Sequence, residues 1–146
     1  MRGSMHGKNN HRILIIEDDR DTNDLIYNIL TDAGFISLPA LDGEQGIEKA
    51  RTEAPDVILL DLMLPTIDGI EVCRRLMSDE KTRSIPVIVL TAKQELSTKL
   101  SSFVAGAKRF LTKPFDENEL ISEIHRTIRQ RELQRQNIES PVDPRD

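Results

Sequence analysis

The sequence predicts a doubly wound α/β fold, a five-stranded parallel sheet with helices on both faces. Three observations carry this. Short apolar runs recur along the chain, and three of them are nearly unbroken Val, Ile and Leu, the composition of strands buried on both faces. Between them lie longer stretches in which apolar residues return every three or four positions, the period of an amphipathic helix. The two patterns alternate, and strand–helix–strand units of this length build parallel sheets with right-handed crossovers.

The apolar runs are Ile13-Leu14-Ile15-Ile16, Ile36 to Leu41, Val57 to Leu60, Pro86 to Leu90 and Arg109 to Leu111. The first helical stretch spaces Leu25, Ile26, Ile29, Leu30 and Ala33, and Gly34 stands where a left-handed residue ends such a helix. Leu100, Phe103 and Val104 repeat in the fourth stretch, and Gly106 follows. The last helix begins after Pro114 with Asp116 as N-cap and Glu119 three residues on, and should bury Leu120, Ile121, Ile124 and Ile128. Five strands and five helices in this arrangement leave few right-handed topologies, and among them the expected flavodoxin-like order 2-1-3-4-5 places a switch point between the first and third strands. No internal repeat occurs at a solenoid period.

Bulk properties agree with one domain. The chain has 146 residues, 38% hydrophobic and 31% charged, as in folded globular proteins. No apolar run approaches the roughly 20 residues of a membrane span, and no signal-peptide core is present. A single cysteine, Cys73, excludes an intramolecular disulfide framework and fits a cytoplasmic, reducing setting. The formal charge of −5 argues against direct binding of nucleic acid. Residues 1–11 read as a tag or disordered N-terminus, Met1-Arg2-Gly3-Ser4 resembling vector sequence with Met5 as a natural start. His6 and His11 fall there and are poor metal ligands. Residues 12–130 form the domain, and 131–146 a helical extension ending in a tail or linker with Pro141 and Pro144.

The chemistry gathers after the strands. Glu17, Asp18 and Asp19 follow the first run, Asp61 the third, Thr91 the fourth and Lys113 the fifth. A parallel sheet sets all its carboxyl ends on one edge, where ligands bind in such folds. Carboxylates of Glu17, Asp18 and Asp61 brought together repel unless a proton or cation intervenes. Hard oxygen donors without nearby His or Cys suit Mg²⁺ or Mn²⁺. Lys113 adds a positive charge and Thr91 a hydroxyl donor, which leaves a hole for a dianionic group. Asp61 stands at its centre, able to attack phosphorus and form an acyl phosphate.

At these residues the chain resembles the receiver domain of two-component response regulators, over about Arg12 to Arg129. The matching motifs are Ile13 to Asp19, Asp61-Leu62-Met63-Leu64-Pro65-Thr66-Ile67-Asp68-Gly69, Val89-Leu90-Thr91-Ala92-Lys93 and Phe110-Leu111-Thr112-Lys113-Pro114-Phe115. Each alone is weak; four in order at strand ends are specific. The resemblance implies Asp61 as phosphoacceptor, Glu17 and Asp18 as the acidic metal pair, and a backbone carbonyl of Met63 as a further ligand. It implies Thr91 and Lys113 as contacts to the phosphoryl oxygens, Phe110 as a switch aromatic, and a cis Lys113-Pro114 bond. The implied partners are a sensor histidine kinase or phosphotransfer protein and an output domain or protein of unknown identity. The implied output face joins the fourth helix, fifth strand and fifth helix and could serve a homodimer.

Plainer readings stand beside these. Asp19 and Asp21 suit helix capping, Cys73 a partly buried helix thiol without chemistry, and His125 a lone histidine with no second ligand at i±4. Phe110 is equally a core residue. Arg126, Arg129, Arg131 and Arg135 read as a solvated helical extension, or as a linker toward an effector or dimer partner. Lys108-Arg109 and Glu123 invert the charges common in DNA-binding relatives, so their usual cross-dimer pairing is not assumed, and a cross-dimer salt bridge of opposite sense stays open. Met63 and Lys93, each two positions past a site residue, border the route of attacking water and are expected to slow hydrolysis. The leading function is a phosphorylation-controlled switch that catalyses only its own phosphorylation and dephosphorylation, and so is no enzyme on external substrates. A metal-dependent phosphatase would want a second acid where Met63 stands. A pure interaction module would not need Thr91, Lys113 and the acidic pair together. No phosphate-binding glycine loop follows the first strand.

Overall fold

The computed structural model describes residues 10–64, 67–92 and 105–139. They form β1 (Arg12–Ile16), α1 (Arg20–Asp32), β2 (Ile36–Ala40), α2 (Gly43–Glu53), β3 (Val57–Asp61), α3 (Gly69–Ser78), β4 (Val87–Ala92), β5 (Arg109–Lys113) and α4 (Glu117–Glu139). All strand pairs are parallel and the order is β2-β1-β3-β4-β5, as the alternation predicts. The helix expected at Leu100, Phe103 and Val104 lies outside the described residues. So do Pro65, Thr66, Lys93, residues 1–9 and residues 140–146.

Strand alternation divides the core in two. Leu14, Ile16, Ile58, Leu60, Val87 and Val89 face α2 and α3, packing with Ala50, Val72, Cys73 and Leu76. Ile13, Ile15, Val57, Leu59, Ile88 and Leu90 face the other way, against Ile26 and Leu30 of α1 and Leu120, Ile124 and Ile128 of α4. Ile13 to Ile16 of β1, Val57 to Leu60 of β3 and Val87 to Leu90 of β4 are fully buried, which explains their unbroken hydrophobicity. Each large side chain so buried contributes roughly 1.5–3 kcal/mol. The edge strand β2 is more open and carries Pro39, which cannot donate to a ladder and is tolerated at an edge.

Helix ends follow the sequence signals. Asp19 caps α1 by accepting the Thr22 N–H at 3.0 Å, and Gly34 takes the positive φ of 94° that releases the chain into β2. Asp116 and Glu119 form a reciprocal box at the start of α4, with bonds of 2.8 and 3.1 Å. The inward stripe of α1 is Asn23, Ile26 and Leu30. Leu25, expected among the core-facing residues, is 60% exposed. It sits one position before Ile26, about 100° around the helix from it. Ile121 is only partly buried.

One reading of the C-terminal region changes. Within α4, which runs to Glu139, Arg131 is packed rather than solvated, its side chain 13% exposed. Its guanidinium donates at 2.9 Å to the carbonyl of Asp56, the residue just before β3. The inverted charges at Arg109 and Glu123 meet within the chain, 3.0 Å apart and both largely buried.

Candidate functional site

The register explains why the polar groups converge. Ile16 pairs with Leu60, Asp61 with Leu90, Thr91 with Thr112 and Ala92 with Lys113. Asp61, Thr91 and Lys113 are thus the last residues, or nearly so, of strands β3, β4 and β5, rather than the first loop residues after them. Glu17 follows β1 and continues its ladder by one rung, its N–H donating to the Ala40 carbonyl at 3.1 Å.

Oxygens of Glu17, Asp18 and Asp61 lie within 4.8 Å of one another. Glu17 and Asp61 are buried, at 1% and 4% exposure, while Asp18 is more open to solvent. Lys113 Nζ stands 3.2 Å from Glu17 Oε1 and 3.4 Å from Asp61 Oδ2. Burial pushes the Glu17 carboxyl up to about 7, with the hydrogen bond and charge of Asp61 adding to it; the Asp19 N–H and the Lys113 ammonium oppose the rise. For Lys113, burial alone would lower the ammonium, but the charges of Asp61 and Glu17 outweigh it and hold its value above the ordinary lysine range. One ammonium therefore serves two buried carboxylates, and the cluster has room for more positive charge. Three carboxylates of this spacing, with no His or Cys among them, fit a hard divalent cation.

Supporting contacts hold Asp61. The Met63 N–H donates to Asp61 Oδ1 at 3.1 Å, and the Gly69 N–H closes the loop onto the Leu62 carbonyl at 3.1 Å. Asp68 caps α3 through the Ile70 and Glu71 N–H groups at 2.7 and 3.3 Å. Gly69 must be glycine for space: a Cβ there would stand 2.5 Å from Leu62 Cα. The Met63 side chain is 65% exposed beside the site.

Thr91 is buried, its hydroxyl 3.5 Å from the Ala92 carbonyl, the long limit of a hydrogen bond. Phe110 pairs in register with Val89 and packs, partly buried, on the α2–α3 side of the sheet. The Lys113-Pro114 bond is cis. Cys73 is fully rather than partly buried, and burial pushes its thiol up to about 11, in keeping with an inert residue. His125 lies against Phe35, ring centroids 5.3 Å apart. Asn23 was not legible as a site residue, yet its amide bonds to the Glu17 carbonyl. The available signal was a polar residue on the inward stripe of α1, in line with Ile26 and Leu30.

Comparison with known proteins agrees with this geometry. The response regulator receiver domain family matches residues 13–125. The DNA-binding dual master transcriptional regulator RpaA of Synechocystis is 45% identical over 118 residues, covering 81% of this chain and 49% of the relative. The alkaline phosphatase synthesis transcriptional regulatory protein PhoP of Bacillus subtilis is 37% identical, covering 85% and 51%. The chain thus spans about half the length of the curated relatives it matches. Among solved structures, the receiver domain of a sensor histidine kinase from Pseudomonas aeruginosa superposes with a TM-score of 0.76 at 31% identity, covering 82% of this chain and 98% of that one. It carries a magnesium ion in its active-site cleft. Among the described residues no helix is long and apolar enough to cross a membrane. The chain belongs to the response regulator receiver domain family of two-component signalling.

Proposed function

We propose that Asp61 accepts a phosphoryl group from a phosphohistidine of a sensor histidine kinase or phosphotransfer protein. The observation that carries this is the meeting of Glu17, Asp18 and Asp61 oxygens within 4.8 Å, with Lys113 bonded to two of the three carboxylates. An oxygen of Asp61 attacks phosphorus in line as the donor's P–N bond breaks. The imidazole leaves neutral, keeping the bonding electron pair on one nitrogen and its proton on the other. Lys113 balances the charge of the transferred group, and the Thr91 hydroxyl turns toward it from the end of β4.

Glu17, Asp18, Asp61 and the Met63 carbonyl are the residues that would hold Mg²⁺ or Mn²⁺, and the magnesium in the related receiver supports that assignment. When bound, the cation neutralises charge on the transferring oxygens. The chain acts on its own aspartate only. The exposed Met63 side chain, which cannot transfer a proton, speaks against a phosphatase. Movement of Thr91 and Phe110 would bias an output face built on β5 and α4, for an attached domain, a partner or a second copy. The relatives' names support an output in transcription.

Incubation with acetyl phosphate and Mg²⁺ followed by intact mass spectrometry tests this reading. One added phosphoryl group is expected, lost with EDTA and absent in Asp61→Asn. Equal phosphorylation of the variant would refute the assignment.

A further inference from the structure

We propose that Asn23 is a positioning residue of the metal site: its buried amide locks the backbone of Glu17 and so sets where the Glu17 and Asp18 carboxylates stand. The inference rests on the reading of Glu17, Asp18 and Asp61 as a divalent-cation site.

The strands β1 and β2 end at Ile16 and Ala40, and the Glu17 N–H makes one more rung to the Ala40 carbonyl. With β2 ended, the Glu17 carbonyl needs a donor from elsewhere. Asn23 supplies it from the first turns of α1: Nδ2 lies 3.0 Å from the Glu17 carbonyl and 3.0 Å from the Ala40 carbonyl. One amide group thereby ties together the ends of two strands and the start of a helix. Two carbonyl acceptors around one atom also decide which end of the side chain is nitrogen, since the reversed amide would set oxygen against two oxygens.

Asn23 is 1% exposed, and its Oδ1 has no hydrogen-bond partner among the described residues. A buried acceptor left unmade is a cost, and an apolar residue would match Ile26 and Leu30 on the same stripe. What the amide secures in return is the backbone bearing the acidic pair. Glu17 is pulled by Lys113 and by the Asp19 N–H, while Asp61 crowds it. A backbone free to turn at Glu17 would let the carboxylates separate and spread the oxygens that a small cation needs close together.

Mn²⁺ binding, followed by the electron paramagnetic resonance of free Mn²⁺, separates positioning from general support. The same samples are unfolded in urea with EDTA. Asn23→Ala should weaken Mn²⁺ binding about tenfold, as loss of a ligand-orienting partner does. Asn23→Ser, which keeps one donor, should fall between it and the wild type. Thr82→Val is the control. It removes a buried hydroxyl that donates to the Leu76 carbonyl far from the site, so it should lose stability with Mn²⁺ affinity unchanged. Binding within about twofold of wild type in Asn23→Ala, where tenfold is expected, would overturn the proposal. So would equal weakening in Thr82→Val. If Asn23→Ala does not fold, unchanged binding in Asn23→Ser overturns it. Absence of Mn²⁺ binding in the wild type would instead remove the metal site itself, and the inference with it.

Discussion

Replacing Glu17 by Gln should flatten the pH dependence of stability in the metal-free protein. In the folded chain the Glu17 carboxyl is pushed from 4.5 to about 7, first by burial and then by Asp61. The folded state therefore holds its proton more tightly than the unfolded state. Stability from this group is full below about pH 4.5 and is lost as pH rises through about 7. Between about pH 5.5 and about pH 8 the linkage amounts to roughly 2 kcal/mol. The side chain is 2% exposed, so solvent screening takes little from this figure. Urea unfolding in EDTA, followed by circular dichroism because the chain has no Trp, measures it directly. The wild type should lose roughly 2 kcal/mol more than Glu17→Gln over that interval. Adding Mg²⁺ at the higher pH should restore stability to the wild type and much less to the variant. Parallel pH profiles in EDTA would refute the claim that burial, with Asp61 beside it, raises the Glu17 carboxyl.

Other perturbations test the frame around the site. Gly69→Ala forces a Cβ onto the Leu62 backbone and should cost about 1–3 kcal/mol. It should also slow phosphorylation by acetyl phosphate, read by intact mass against time; wild-type values for both would show that the close approach can relax. Arg131→Ala should cost about 1–2 kcal/mol in urea unfolding, since it breaks a charge-assisted bond to the Asp56 carbonyl. No loss would mean that the helix beyond residue 130 is independent of the domain. Thr82→Val should cost about 1 kcal/mol, because the carbonyl of Leu76 loses a buried donor.

The legible parts of the fold were those with a repeating pattern. Val57 to Leu60 reads as a strand buried on both faces because nearly every residue must be apolar there, and the structure buries them all. Asp116 and Glu119 announced the start of α4 because a capping box is local chemistry. The α1 stripe was harder. Leu25 and Ile26 are both apolar, and periodicity alone could not say that Asn23, not Leu25, points inward. The error and the missed residue have one cause: a polar group on a buried stripe looks like a break in the pattern until its hydrogen bonds are seen. The burial of Arg131 is hidden for a related reason, since its partner Asp56 lies 75 residues earlier and nothing near it in sequence calls for burial.

By itself the sequence determined the kind of sheet and the set of groups along one edge, because parallel strands must place their carboxyl ends together. It also determined the hard-ligand character of that edge, since acids, a hydroxyl and a lysine are the residue types present. Tertiary structure alone decided how these groups divide their work. Asp19 turns away to cap α1, while Asp18 joins Glu17 and Asp61. Burial raises Glu17, Asn23 fastens its backbone, and Arg109 finds Glu123 within the same chain. Such outcomes depend on register and on distances of a few ångströms between distant segments, and those exist only once the sheet has closed.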